Sequence, residues 1–367
     1  MTNLGTAALR ELYAAGSPVA SVYFNLRATD EDAAAPRWRV IADQLAEHGA
    51  PDPTISALTD HVLARVPGPG VLAAFLTADD TLFVGDMPGS GQPDHGEHGP
   101  LPHLVPLLEW LQDRPAHVVA VVDRLGADIA VYPRAASEAI TTSITGPDDE
   151  IERNAPGGWS QPRYQHRAED SWSHNAALVA DQVGHILRRH DARLLVLAGD
   201  VRALQYLDEH LPTWTRQGVV VRRISGGRSN DGSWSRRSAQ IVEEVRRAAA
   251  DERTSMLAEL AEGRHPGGQA VEGVQATLAA LAEGRVRTLL LVAGAKPGRT
   301  AWFGPGPTDV AARPDRLIQA GVPVERGALT DVAIRAAILT SAEIRVLEPG
   351  RIGAPAEGIG ALCRFVA

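Results

Sequence analysis

The stretch AVEGVQATLAALAEGRVRTLLLV, residues 270–292, decides the fold of the C-terminal third of the chain. Apolar residues recur at helical spacing over about residues 270–283, which predicts a helix. The acidic-Gly pair Glu283-Gly284 ends it, and an apolar run, residues 287–294, then predicts a buried strand. The order helix, turn, strand is typical of a domain built from packed α and β layers.

The alternation continues over residues 236–367. Helices are predicted at about 237–263 and 327–340 because apolar residues follow a helical period there. Strands are predicted at TAWFG, at EIRVLE (343–348) and at the final ALCRFVA. We therefore expect a small α/β sandwich in this segment.

The preceding segment, residues 114–226, begins with two apolar runs that flank Asp123-Arg124-Leu125-Gly126. This arrangement predicts a β-hairpin, and a third strand is expected at about residues 139–144. A long helix at about 168–190 is followed by a strand, a helix and a strand, which favours a parallel or mixed sheet covered by helices. The Gly- and Ser-rich residues 225–235 are the best linker in the chain.

The first segment, residues 1–113, also mixes helices and strands. Its most informative part is a hairpin pattern around Asp79-Asp80. Residues 89–103, GSGQPDHGEHGPLPH, are predicted to be a loop from their composition. The chain is therefore predicted to be an α/β (α+β) protein with three domains, at residues 1–113, 114–226 and 236–367.

Composition restricts the function further. The chain has 367 residues, a formal net charge of -9 and one cysteine, Cys363. The negative charge argues against a general nucleic-acid coat but permits RNA contacts through local basic patches. A single cysteine cannot form an internal disulfide, and no membrane span or secretory signal is evident. We expect a cytoplasmic protein without a cofactor or a metal.

Residues 270–292 resemble the C-terminal domain of archaeal and eukaryotic class 1 release factors and Pelota, and EGIGALCRF (357–365) resembles the closing strand of that domain. The order meander, polar loop, long helix in residues 114–226 is similar to their middle domain. The chain looks most similar to the actinobacterial branch of the ribosome hibernation factor Balon. The resemblance implies ribosome binding, with a translational GTPase such as elongation factor Tu as a partner of the C-terminal domain.

The polar stretch before the long helix contains Gly157-Gly158-Trp159-Ser160-Gln161. In release factors the matching loop carries Gly-Gly-Gln, whose glutamine helps to place a water molecule at the ester of peptidyl-tRNA. The indole of Trp159 offers no carbonyl oxygen, and a displacement of two residues moves the Gln161 amide several Å in a reaction that tolerates little error. The resemblance therefore implies a loop at the peptidyl-transferase centre without hydrolytic activity. The candidate contacts to ribosomal RNA are Arg153, Gly157, Gly158, Trp159, Ser160, Gln161, Arg163, His166 and Arg167.

A literal Gly-Gly-Gln occurs elsewhere, at Gly267-Gly268-Gln269. Short motifs are informative only in the right structural context, and this one is predicted to lie between two helices. We interpret it as a Gly-rich turn and helix start.

A cluster of metal-ligand residue types lies in the predicted loop of the first segment. It consists of Asp94, His95, Glu97, His98 and His103. Nothing in the sequence orders these side chains onto one face, and a hydrophilic loop explains them. We therefore predict no metal site there.

Two functions remain open. The chain is predicted to be a non-hydrolytic hibernation factor that occupies the ribosomal A site. The alternative is a peptidyl-tRNA hydrolase for ribosome rescue, with Gln161 or Gln165 in the place of the missing glutamine. A role of the fold away from the ribosome is a weaker third possibility.

Overall fold

The computed structural model describes residues 6–27, 31–68, 70–136, 138–146, 161–228, 234–265, 267–295 and 298–366. It divides into two compact units. Met1–Gln112 and Arg253–Ala367 form the first, and Asp113–Glu252 forms the second. The α/β fold class is confirmed. The division into three domains remains a prediction.

The N-terminal part of the first unit is a four-stranded antiparallel sheet in the order β3-β2-β1-β4. Its strands are β1 (Val19–Asn25), β2 (Val71–Thr77), β3 (Leu82–Met87) and β4 (His95–Gly99). Its helices are α1 (Thr6–Ala14), α2 (Glu31–Glu47), α3 (Asp52–Leu63) and α4 (Val105–Gln112). In β1 the side chains of Ala20, Val22 and Phe24 join the core formed with α2 and α3. Because side chains alternate along a strand, Ser21 and Tyr23 lie on the opposite face.

Strand β4 corrects the prediction of a loop over residues 89–103. Its sequence, HGEHG, has no apolar residue, but it pairs with β1 from Val19↔Gly99 to Tyr23↔His95. Backbone pairing at a sheet edge requires no apolar side chain. It does require room, and a Cβ on Gly96 would lie 2.8 Å from Ile41 Cγ2 of α2. The glycine thus lets the strand approach the helix.

The second unit contains a five-stranded sheet in the order β7-β6-β5-β8-β9. Its strands are β5 (His117–Asp123), β6 (Gly126–Tyr132), β7 (Ile140–Thr145), β8 (Leu194–Gly199) and β9 (Val220–Arg223). Strands β5, β6 and β7 form the predicted antiparallel meander, and β5, β8 and β9 are parallel. The predicted hairpin and mixed sheet are confirmed.

Helices complete the second unit. They are α5 (Gln161–Arg189), α6 (Val201–His210), α7 (Thr215–Gly218) and the first part of α8 (Trp234–Glu262). The core side of α5 contributes Val179, Val183 and Leu187. Helix α8 begins near the predicted linker, but its Ile241 and Val245 belong to a core of the second unit. The division between the units falls within this helix, at residues 252 and 253.

The C-terminal part of the first unit has two sheets, in the orders β10-β16-β11-β15 and β13-β12-β14. The strands are β10 (Ala270–Glu272), β11 (Val286–Val292), β12 (Thr300–Phe303), β13 (Val310–Ala311), β14 (Glu325–Ala328), β15 (Glu343–Leu347) and β16 (Ile359–Cys363). The helices, besides the last part of α8, are α9 (Val274–Ala282), α10 (Asp315–Gln319) and α11 (Leu329–Leu339). In the described residues no helix is both long and apolar enough to cross a membrane.

The predicted helix at residues 270–283 is wrong over its first turn. Strand β10 occupies residues 270–272, and α9 begins only after Gly273, which has a φ of 83°. A positive φ is easily adopted by glycine and interrupts a right-handed helix. The strand after the helix, β11, lies close to its predicted position and is buried along most of its length.

Candidate functional site

The predicted loop of the second unit lies between β7, which ends at Thr145, and α5, which begins at Gln161. Arg153, Gly157, Gly158, Trp159 and Ser160 lie outside the described residues. Gln161, Arg163, His166 and Arg167 belong to the first two turns of α5, and the structure does not describe their side chains. Their roles stay predictions.

The end of β7 and the middle of α5 meet at the turn of the β5–β6 hairpin. Gly146, which follows β7, donates a backbone hydrogen bond to Leu125 O at 2.8 Å. Asn175 of α5 is buried, and its Nδ2 donates to Arg124 O at 3.1 Å. A Cβ on Gly146 would lie 1.8 Å from Asn175 Oδ1. Strand end, hairpin turn and helix are therefore held together at one corner.

An ion-pair cluster supports the same hairpin. Arg228 donates to Asp123 Oδ1 at 3.0 Å and to both carboxylate oxygens of Asp128, at 2.9 and 3.1 Å. Asp123 Oδ1 also accepts the backbone N–H groups of Leu125 and Gly126. The hydrogen bond from Arg228 is the main cause that lowers the pKa of the Asp128 carboxyl. Arg228, which follows β9, thus connects this part of the chain to the β5–β6 hairpin.

We expect Arg228→Ala to destabilise the second unit by about 1 kcal/mol at neutral pH, a figure reduced because Asp128 is partly exposed and screened by solvent. Since the folded-state pKa of Asp128 is lowered, its contribution is present above the unfolded pKa of roughly 4 and disappears as the pH falls through the folded value. The difference in the free energy of unfolding between wild type and Arg228→Ala should therefore become smaller at acidic pH. Denaturant unfolding at neutral pH and near pH 3 measures this, with Arg228→Lys as the charge-conserving control. Equal differences at both pH values would contradict the assignment.

The basic residues at the far end of α5 include Arg188, whose guanidinium lies 4.7 Å from the centroid of the Trp214 ring. A cation above an indole face is a favourable intramolecular contact. This residue packs against its own unit and is a poor candidate for an RNA contact.

The literal Gly-Gly-Gln at residues 267–269 is a tight turn between α8 and β10. Gly267 has a φ of 81°, and a Cβ on Gly268 would lie 2.1 Å from Gly263 O. Gln269 O accepts the backbone N–H of Cys363 at 2.7 Å. The predicted turn is therefore present, but it leads into a strand and not into a helix, because residues 270–272 pair with β16.

The structure corrects the statement that nothing orders the histidines of residues 89–103. It brings one ligand atom from each of His95, Glu97 and His103 within 4.8 Å of one another. The other two members of the cluster lie elsewhere. Asp94 pairs with Arg37 at 2.6 Å, and His98 Nδ1 lies 3.2 Å from His48 O. Alternation along a strand gives His95 and Glu97 one face and His98 the other, which the loop prediction could not show.

Comparison with known proteins finds a family model that is similar to part of the chain. Residues 116–265 match the family described as bacterial archaeo-eukaryotic release factor family 2. The uncharacterized protein Rv2629 of Mycobacterium tuberculosis (strain ATCC 25618 / H37Rv) is 29% identical over 370 residues, which cover 98% of this chain and 96% of that protein.

Two solved structures extend the comparison. Ribosome-bound archaeal Pelota, solved with ABCE1, is 14% identical with a TM-score of 0.39 and covers 100% of this chain and 96% of its own. The archaeal translation termination factor aRF1 is 15% identical with a TM-score of 0.27 over 99% of each chain. From similarity at this level we draw no conclusion about function. The family match includes the predicted loop and the strands and helices that flank it.

Proposed function

We propose, from the release factor family match of residues 116–265, that the chain is a ribosome-associated translation factor of the release factor and Pelota type. In this proposal it acts in the cytoplasm as a hibernation factor and occupies the A site of idle ribosomes. The loop after β7 reaches toward the peptidyl-transferase centre. The similarity to the Balon branch belongs to the same proposal.

The single observation that carries the proposal is the position of Gly157-Gly158-Trp159 within the matched segment. It immediately precedes the N-terminus of α5, a helix of 29 residues. The N-terminal N–H groups of a helix favour phosphate groups, and an indole stacks on nucleic-acid bases. A loop of this composition is suited to binding RNA, and the absence of glutamine after the glycines favours binding over hydrolysis.

Ribosome binding can be tested through its dependence on salt. We expect wild-type protein to co-sediment with ribosomes of starved cells at low salt. Arg153→Ala, Arg163→Ala and Arg167→Ala combined should reduce the slope of log K against log salt by about two to three, because each lost phosphate contact removes close to one unit. The matched control replaces Arg216, Arg246 and Arg247, exposed residues of the same unit. Wild-type protein that stays at the top of a low-salt gradient would refute ribosome binding.

The alternative is peptidyl-tRNA hydrolysis with Gln161 in the catalytic role. Purified protein incubated with ribosomes that carry peptidyl-tRNA is expected to release no peptide above background. Release that disappears in Gln161→Ala, but not in Gln165→Ala, would establish the hydrolase in place of the binding factor.

The GTPase partner is part of the proposal as well. We propose that the C-terminal part of the chain binds a translational GTPase such as elongation factor Tu, since the resemblance of residues 270–292 and 357–365 concerns that domain. Gel filtration of the two purified proteins with GTP or GDP, on and off the ribosome, tests this. No complex in any of these states would remove elongation factor Tu from the proposal.

A further inference from the structure

Strand β4 and the residues after it bring two imidazoles and a carboxylate together. His95 Nε2 lies 3.5 Å from Glu97 Oε2, and His103 Nδ1 lies 3.7 Å from the same oxygen. The ring centroids of His95 and His103 are 5.5 Å apart. His95 and Glu97 are two residues apart on one strand and so share a face. All three side chains are partly exposed, which leaves a path from solvent.

Helix α11 places a carboxylate beside this cluster. Asp331 Oδ1 lies 3.4 Å from His103 Nδ1, and the Asp331 side chain is only 4% exposed. Neither this oxygen nor His95 Nε2 has a hydrogen-bond partner among the residues that the structure describes. The contact of this buried oxygen to His103 is too long for a normal hydrogen bond, so its burial is only partly compensated. A cation bound by His95, Glu97 and His103 would occupy His95 Nε2, and its charge would also compensate the nearby Asp331 carboxylate.

The spacing of His95, Glu97 and His103 is compatible with one tetrahedral ion, since one ligand atom of each lies within 4.8 Å of those of the other two. Zinc binds histidine nitrogen and carboxylate oxygen at about 2.0–2.2 Å, and the edge of a regular tetrahedron is about 1.63 times the distance from its centre to a corner. Ligand atoms around zinc are therefore about 3.3–3.6 Å apart. The two contacts to Glu97, at 3.5 and 3.7 Å, are close to this edge length. They are long for hydrogen bonds, for which about 2.7–3.2 Å is normal.

The surroundings hold His103 in place. Its backbone N–H donates to Ser21 Oγ at 3.0 Å, and its carbonyl oxygen accepts the hydroxyl of the fully buried Tyr23 at 2.7 Å. Ser21 and Tyr23 lie on the face of β1 that is opposite to the core with α2 and α3. These contacts fix the backbone at His103, and the Asp331 carboxylate beside Nδ1 is the outer contact that orients its ring.

We propose that His95, Glu97 and His103 bind one divalent transition-metal ion, zinc foremost, with the Asp331 carboxylate of helix α11 as the outer partner of His103. Two histidines and a carboxylate suit zinc better than calcium or magnesium, which prefer oxygen ligands alone. Three protein ligands leave the fourth position to water, and the contact between His103 and Asp331 links the ion to the C-terminal part of the first unit. All four residues belong to the first unit, and the proposal does not depend on ribosome binding.

The first experiment measures the metal content and affinity of the full-length protein. After purification from zinc-supplemented medium, elemental analysis should find about one zinc per chain. After stripping with a chelator, calorimetric titration with zinc chloride should give a Kd below about 1 µM. His95→Ala combined with His103→Ala should weaken binding at least 100-fold. The matched control is His98→Ala, which removes a histidine of the same strand that lies outside the cluster.

The second measurement distinguishes a variant that no longer binds metal from a variant that no longer folds. Stripped wild-type protein should gain thermal stability when zinc is added, because an ion that binds only the folded state raises Tm. Glu97→Gln should reduce this gain, whereas His98→Ala should leave it unchanged. Stoichiometric binding of cobalt or another transition metal with the same pattern among variants would also support the site. Zinc binding weaker than about 100 µM in wild type, or an equal loss in His98→Ala, would overturn it.

Discussion

Replacement of Gly199 by alanine is expected to lower the free energy of unfolding of the second unit by about 4 kcal/mol, the upper range for single substitutions. Gly199 ends β8 with a φ of 139°, and a Cβ there would lie 1.9 Å from Val122 O. The obstructing atom belongs to the backbone of β5, at the centre of the five-stranded sheet. It cannot move aside without disturbing its own pairing, since Val122 O also accepts the N–H of Asp200 at 3.1 Å.

Amide hydrogen exchange followed by mass spectrometry is the suitable measurement, because peptides from β5 and β8 report on the second unit by itself. Gly218→Ala serves as the control. No atom lies within 4 Å of a Cβ at Gly218, and its φ is outside the left-handed region. The control should remain within about 0.5 kcal/mol of wild type. A loss below about 1 kcal/mol for Gly199→Ala would show that the sheet adapts to a side chain at this position.

The second large effect is expected for Leu290→Ala, which should destabilise the first unit by about 3–4 kcal/mol. Leu290 is fully buried in β11, between β15 and β16. It packs in a core that also contains Leu257 and Leu260 of α8. Truncation removes apolar contacts from both layers and leaves a cavity that two neighbouring strands prevent from closing.

Two control variants separate the effect of a cavity in the core from the effect of substitution at residue 290 itself and from the effect of truncating any side chain. Leu290→Met conserves volume and should lose less than about 1.5 kcal/mol. Ile318→Ala truncates a side chain of the same unit that is 57% exposed, and it should change stability by less than about 0.5 kcal/mol. Hydrogen exchange of peptides from β11 and β16 gives the comparison. If Leu290→Ala and Ile318→Ala lose the same stability, β11 does not have the central role assigned to it.

The elements that sequence patterns predicted well are those whose stability is mainly local. The hairpin around Asp123-Arg124-Leu125-Gly126 follows from two apolar runs and a short polar turn, and the structure pairs Asp123 with Gly126 as expected. Strand β11 follows from the apolar run that begins at Leu289. In both cases the burial of each side chain depends on its own chemistry, so the periodic pattern is sufficient.

Patterns failed where backbone pairing or a single glycine decided the outcome. Strand β4 has polar side chains and was predicted to be a loop, but its backbone groups pair with β1. The helix predicted from residue 270 begins only after Gly273 because β16 recruits residues 270–272 as an edge strand. Hydrophobic periodicity carries no signal for pairing with a partner distant in sequence.

The sequence by itself determined the mixed α/β class, the meander and long helix of the second unit, and the Gly-Gly-Trp segment, since these depend on local composition and period. The tertiary structure alone decided the grouping of His95, Glu97 and His103 with Asp331, which lies 228 or more positions away along the chain. The physical reason is that a ligand set assembles through the register of β4 on β1 and the packing of α11 beside it. Neither of these is encoded within a local window of sequence.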